Sequence, residues 1–95
     1  PVIVSEWGTS QYTGDGECNF EESNKWLKLL SENKISWVNW SLSYGKESSA
    51  ILKENIKNII DKKNGRKDDE LNEKTIENYL TDSGKYIKGK LKEQI

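Results

Sequence analysis

The sequence contains no histidine and no methionine, and it has one cysteine, one proline and one phenylalanine among 95 residues. Without histidine the chain holds no imidazole to act as a base near neutral pH or as a metal ligand. A single cysteine, Cys18, excludes an internal disulfide, and a lone thiol reads as a small structural hydrophobe. No apolar run approaches the ~20 residues of a transmembrane helix, so no helical membrane span is expected. Charge is balanced as well: 15 Lys+Arg against 16 Asp+Glu leave a net charge of −1, which provides no field to steer nucleic acid. Lacking methionine and opening on Pro1 inside a strand-like run, the sequence reads as the continuation of a longer chain. The missing signal peptide therefore says nothing about secretion.

The most informative stretch is Pro1-Val2-Ile3-Val4-Ser5-Glu6-Trp7-Gly8-Thr9-Ser10. A continuous β-branched run, residues 1–5, reads as a fully buried strand that ends in a carboxylate. Delivering a glutamate to the C-terminal tip of a buried parallel strand is how an α/β barrel presents a catalytic group. Polar residues 8–18, with Gly8, Gly14 and Gly16, predict a loop. Asn19 ahead of Phe20-Glu21-Glu22 predicts an N-cap, and a helix to about Asn33. Its expected apolar stripe is Phe20, Trp26, Leu27, Leu29 and Leu30. Ile35 to Trp40 reads as a second strand, with Ile35, Trp37 and Asn39 on one face and Ser36, Val38 and Trp40 on the other. Strand, helix, strand is a βαβ unit with parallel pairing.

After Ser43 the pattern becomes helical and charged, with Leu52, Ile56, Ile59 and Ile60 as one stripe and Asn64-Gly65 as its end. Asp68-Asp69-Glu70 lacks the glycine and spacing of a calcium loop and reads as solvated charge. Ile76, Tyr79 and Leu80 are expected to cover a small patch. Thr81 predicts the N-cap of a last helix in which Ile87, Leu91 and Ile95 recur every fourth residue.

If the two strands are neighbours, Glu6 and Trp40 line one mouth. A carboxylate beside an indole suits a sugar: the ring stacks on the aromatic face while the carboxylate meets the anomeric carbon. The motifs Val4-Ser5-Glu6-Trp7-Gly8-Thr9-Ser10, Ile35-Ser36-Trp37-Val38-Asn39-Trp40-Ser41-Leu42-Ser43 and Glu47-Ser48-Ser49-Ala50 resemble, in that order, the C-terminal part of glycoside hydrolase family 5. The likeness is to its bacterial endoglucanases (cellulases). Leu80 to Lys88 is similar to their closing helix. The resemblance is good over 1–52, moderate over 80–92 and poor over 53–79.

The resemblance implies an α/β fold, the C-terminal portion of a (β/α)8 TIM barrel. Residues 1–52 would supply strand 7, helix 7 and strand 8, residues 53–79 a variable charged helical insertion, and residues 80–95 the closing helix. A whole barrel takes roughly 250 residues, so the barrel is incomplete here. The resemblance further implies a retaining hydrolase of β-1,4-glucan that needs no metal and no organic cofactor. Its protein would be secreted and monomeric, with a glucan as partner rather than nucleic acid or membrane.

Glu6 falls on the family's nucleophile and Trp40 on its sugar-packing tryptophan. Glu47 matches a sugar-contacting glutamate. The accompanying lysine is displaced: Gly45 stands in its place and Lys46 follows one position later. The acid/base glutamate lies on a strand outside this sequence, so the chain carries the nucleophile half only and is expected to be inactive alone. Trp37 and Trp26 are expected in barrel-to-helix packing. Tyr12 and Tyr44 are loop aromatics near the mouth. A second reading stays open: a non-catalytic carbohydrate-binding or interaction module using Trp40 and the loop tyrosines.

Overall fold

A computed structural model describes residues 2–57 and 76–94. The expected positions Ile59, Ile60, Asn64, Gly65, Asp68 to Glu70 and Ile95 lie outside them. The described elements run β1 (Ile3–Trp7), α1 (Phe20–Glu32), β2 (Ser36–Asn39) and α2 (Asp82–Glu93). The two strands pair in parallel, as the βαβ reading requires. β1 begins and ends two residues later than the run 1–5, and β2 is shorter than 35–40.

β1 is not fully buried: Val2 and Ile3 are exposed and only Val4 and Trp7 are half-buried. Among the described residues the strand has one neighbour, and one face of the pair is uncovered. Along β2, exposure alternates as expected, with Ile35, Trp37 and Asn39 half-buried and Ser36, Val38 and Trp40 exposed.

α1 starts where Asn19 accepts from the Glu22 amide (2.9 Å) through its side chain. Asn19 thus satisfies one of the helix's orphan donors. Its buried seam is Ser23, Leu27 and Leu30. Trp26 and Leu29 are about half exposed, contrary to the expected core role. They lie beside the i, i+4, i+7 seam, and a sheet of two strands is too narrow to cover them.

Phe20 stacks on Tyr86 of α2 with ring centroids 4.6 Å apart, and the Tyr86 hydroxyl donates to Asn24 Oδ1 at 2.6 Å. These contacts clamp the two helices together. Tyr86 has its phenol pushed above the ordinary value, chiefly by burial and then by the Glu93 charge.

Residues 44–52 are turns and single bridges rather than helix: Tyr44 bridges Leu52 in parallel, and Leu52 bridges Leu80 antiparallel. The serines of this stretch bond away from it, Ser48 and Ser49 donating their hydroxyls to the Gly16 and Gly14 carbonyls. Ser41 and Ser43 hydroxyls pair at 2.8 Å, and the Ser43 amide donates to the Ser41 carbonyl at 2.9 Å. Leu52 therefore lies next to Leu80, not on a helical stripe. Ala50, Ile56, Leu80 and Ile87 join Leu27 and Leu30 as the buried apolar set. Full burial of such a side chain contributes about 1.5–3 kcal/mol.

Thr81 caps α2 as expected, its hydroxyl accepting from the Gly84 amide at 2.9 Å. Ile87 is buried and Leu91 is half exposed, so of the two described positions the expected stripe holds at Ile87 and not at Leu91. Gly84 is seated directly on Ile51: a Cβ there would stand 2.2 Å from the Ile51 carbonyl oxygen. Gly89, exposed on the same helix, has nothing within 4 Å of its would-be Cβ.

Lys88 donates to Glu77, and this hydrogen bond is the main reason the Glu77 carboxyl is held below its ordinary value. The contact therefore adds stability above the ordinary carboxylate pKa and loses it as pH falls through the lowered value.

Gly84→Ala should destabilise by about 1–3 kcal/mol through overpacking, whereas Gly89→Ala should stabilise by about 0.5–1 kcal/mol; urea unfolding compares them. Glu77→Gln should flatten the acid-side loss of stability, read from midpoints of thermal melts across pH 3–6.

Candidate active site at the strand ends

Strict alternation along β1 would put Ile3, Ser5 and Trp7 on one face and Val4 and Glu6 on the other. The register is otherwise. Ile3 pairs with Ser36 and Val4 with Trp37, but Trp7 pairs with Asn39, so β1 holds one residue more than β2 across the same span. That is a β-bulge at Ser5–Glu6, a device that re-aims side chains at the rims of sheets. Exposure follows the shifted register: Ser5 and Glu6 are both exposed, while Trp7 turns to the covered face with Trp37 and Asn39. Trp7 and Trp37 then meet edge to face at 5.4 Å. The bulge thus puts Glu6 on the same uncovered face as Trp40.

Trp40 continues β2, its amide donating to the Trp7 carbonyl at 2.7 Å, and 46% of it is exposed. A cis peptide bond joins it to Ser41. Gly8, directly after Trp7, lies against this residue: a Cβ there would sit 3.3 Å from the Trp40 carbonyl oxygen. The two strand ends are therefore in backbone contact just beyond Glu6.

The loops that follow the strands are laced together. The Ser49 amide donates to the Gly14 carbonyl at 3.1 Å, and its hydroxyl to the same oxygen at 2.5 Å. The Ser48 amide donates to Asp15 Oδ1 at 3.2 Å, and its hydroxyl to the Gly16 carbonyl. Gly14 and Gly16 have φ of 87° and 86°, a region open to glycine and strained for other residues.

Glu47 stands at this junction rather than free in the mouth. A Cβ on Gly14 would come within 2.7 Å of Glu47 Oε2. Lys46 is exposed in the same turn. Tyr12 is 99% exposed, and Leu42 and Tyr44 are exposed on the other loop.

Sequence reasoning missed three features. One is the bulge, which leaves no mark in composition. Another is Asn39, whose two amide atoms are buried without a partner among the described residues. Each such atom costs about 1–3 kcal/mol. The third is a hydroxyl–thiol chain. Thr9 and Ser83 hydroxyls are 2.7 Å apart, Thr9 Oγ1 donates to Cys18 Sγ at 3.4 Å, and Cys18 donates to the Ser48 carbonyl at 3.5 Å. Buried small polar residues far apart in sequence carry no local signal. Among the described residues, no group of three His, Cys, Asp or Glu is placed to hold a metal ion.

Gly14→Ala should unlace the loops, at about 1–2 kcal/mol for the left-handed residue alone. Limited proteolysis should then cut faster within 10–18.

The family described as Cellulase (glycosyl hydrolase family 5) matches residues 1–46. Cellulase CelDZ1 of Thermoanaerobacterium is 38% identical over 91 residues, 96% of this chain and 21% of that protein. Endoglucanase A of Evansella cellulosilytica is 49% identical over 51 residues, 54% of this chain and 10% of that protein. A solved thermostable, halotolerant cellulase from an Icelandic hot spring isolate superposes with a TM-score of 0.75 at 38% identity, over 96% of this chain and 25% of that one. The catalytic domain of Thermobifida fusca endoglucanase Cel5A, solved with cellotetraose, gives 0.74 at 28% identity over 97% of this chain and 26% of that one. The chain spans about a fifth of the length of the curated relative that it matches almost throughout. It belongs to glycosyl hydrolase family 5, and its two parallel strands and their helices correspond to about a quarter of that family's (β/α)8 barrel.

Proposed function

We propose that the chain supplies the nucleophile of a retaining β-1,4-glucan hydrolase of endoglucanase type. The observation that carries this reading is the uncovered face shared by Glu6 and Trp40, which the bulge creates. Relatives named cellulase and endoglucanase, and one solved with cellotetraose, support a β-glucan as substrate.

In this reading a Glu6 oxygen attacks the anomeric carbon of a sugar stacked on Trp40. The bond to the leaving sugar breaks, and a second carboxyl, carried outside this chain, protonates the leaving oxygen. The glycosyl ester is then hydrolysed by water, which gives its proton to that same second group and frees Glu6. Retention requires the two carboxyls to be ~5–5.5 Å apart, so the second one must reach across the uncovered face. Glu47 serves the loop junction first and a distal sugar second, and Lys46 extends the same rim. A polymer too large to enter a cell places the work outside it.

Three measurements test this. In the polypeptide that completes the barrel, Glu6→Gln should cut hydrolysis of carboxymethyl cellulose roughly a thousandfold or more. Trp40→Ala should weaken glucan binding about two- to tenfold. The purified 95-residue chain should release no reducing sugar. Turnover by that chain alone, or undiminished turnover by Glu6→Gln, overturns the proposal.

A further inference from the structure

The two strand ends are fixed to one place, the first turn of α2. From β2, the Ser41 carbonyl accepts the Ile51 amide at 3.2 Å, and the Ile51 carbonyl accepts the Thr81 amide at 2.9 Å. Gly84 closes that seat by resting on the same Ile51 oxygen. Thr81 also donates its hydroxyl to the Ala50 carbonyl. From β1, Thr9 lies three residues beyond Glu6 and is buried, and its hydroxyl meets that of Ser83, which is 0% exposed.

The hydrogens in this chain have a direction. Thr9 donates to Cys18, so it accepts from Ser83, and Cys18 passes its own hydrogen to Ser48. Thr9 and Cys18 each give one bond and receive one, the arrangement in which linked hydrogen bonds reinforce one another. The Thr9 carbonyl also accepts the Asn19 amide at 2.8 Å, which ties the same residue to the start of α1. Thr9 is therefore held by its side chain to α2 and by its backbone to α1.

We propose that Thr9 and Ser83 are positioning residues, which set Glu6 against Trp40 by hanging the β1 end from the same first turn of α2 that holds the β2 end. This rests on Glu6 acting as the nucleophile. A displacement of about 1 Å at a reacting group can lower rate about a hundredfold, so a tether this near to the carboxylate bears on kcat. Substrate affinity, carried by Trp40 and the rim, is left largely alone.

The test uses the complete enzyme that contains this chain. Thr9→Val keeps the volume and removes the hydroxyl, Ser83→Ala removes its partner, and Thr9→Ser restores the bond. Thr9→Val and Ser83→Ala should each lower kcat about tenfold or more with KM within about twofold, and the double variant should be no worse than either. Thr9→Ser should recover most of the rate. Unchanged kcat, a loss residing in KM, or equal damage in Thr9→Ser would overturn the inference. If Thr9→Val fails to fold, Ser83→Ala alone decides by the same kcat criterion. Glu6→Gln run alongside separates the two proposals. If it still cleaves glucan, the nucleophile reading falls. If it is dead while Thr9→Val and Ser83→Ala are normal, only the positioning role falls.

Discussion

The seat of Gly84 on the Ile51 carbonyl is the constraint from which the rest of this unit takes its geometry. A helix approaches a backbone oxygen this closely only where a side chain is missing, so glycine sets the distance. Once α2 is seated there, its cap Thr81 reaches Ala50, Ser83 reaches Thr9, and Tyr86 reaches Phe20 and Asn24. The N-terminal half of this helix thereby touches the loop after β2, the loop after β1 and the first helix. The unit is held by a few short polar contacts of high sequence separation more than by a thick core. The buried apolar side chains are few and are spread over α1, the serine-rich turns and α2.

The polar lacing has a functional logic. Loops that carry chemistry need to be stiff, and backbone carbonyls bonded by serine hydroxyls supply this through one buried bond, Ser49 to Gly14, and one exposed bond, Ser48 to Gly16. Ser48 and Ser49 fasten Gly16 and Gly14, so the loops that follow Glu6 and Trp40 are bonded to each other. Glu47, exposed, leans over Gly14 at the same junction.

Much of this was legible in the sequence, and what escaped shares a cause. The helix cap Asn19, the cap Thr81, the parallel pairing and the alternation through Ile35, Trp37 and Asn39 are local or periodic signals, and all are present. The helical expectation for residues 44–52 failed because apolar spacing was weighed above serine chemistry. Trp26 and Leu29 were expected inside on the strength of hydrophobicity, yet burial depends on how wide a sheet lies beneath. Glu6 and Trp40 were expected to share a mouth because their strands are neighbours, a reason that is incomplete: simple alternation would have turned Glu6 the other way. The family resemblance rested on residue identity and so was indifferent to that error.

The extra residue in β1 makes changes of length unequal in their effects along the strand. Losing Ser5 would leave Glu6 opposite Val38 and Trp7 still opposite Asn39, so carboxylate and indole would keep their sides and only the local kink would go. Losing a paired residue instead slips the register and turns every later side chain over. The count of residues is therefore loosely held at this one point and strictly held in the paired stretches on either side of it.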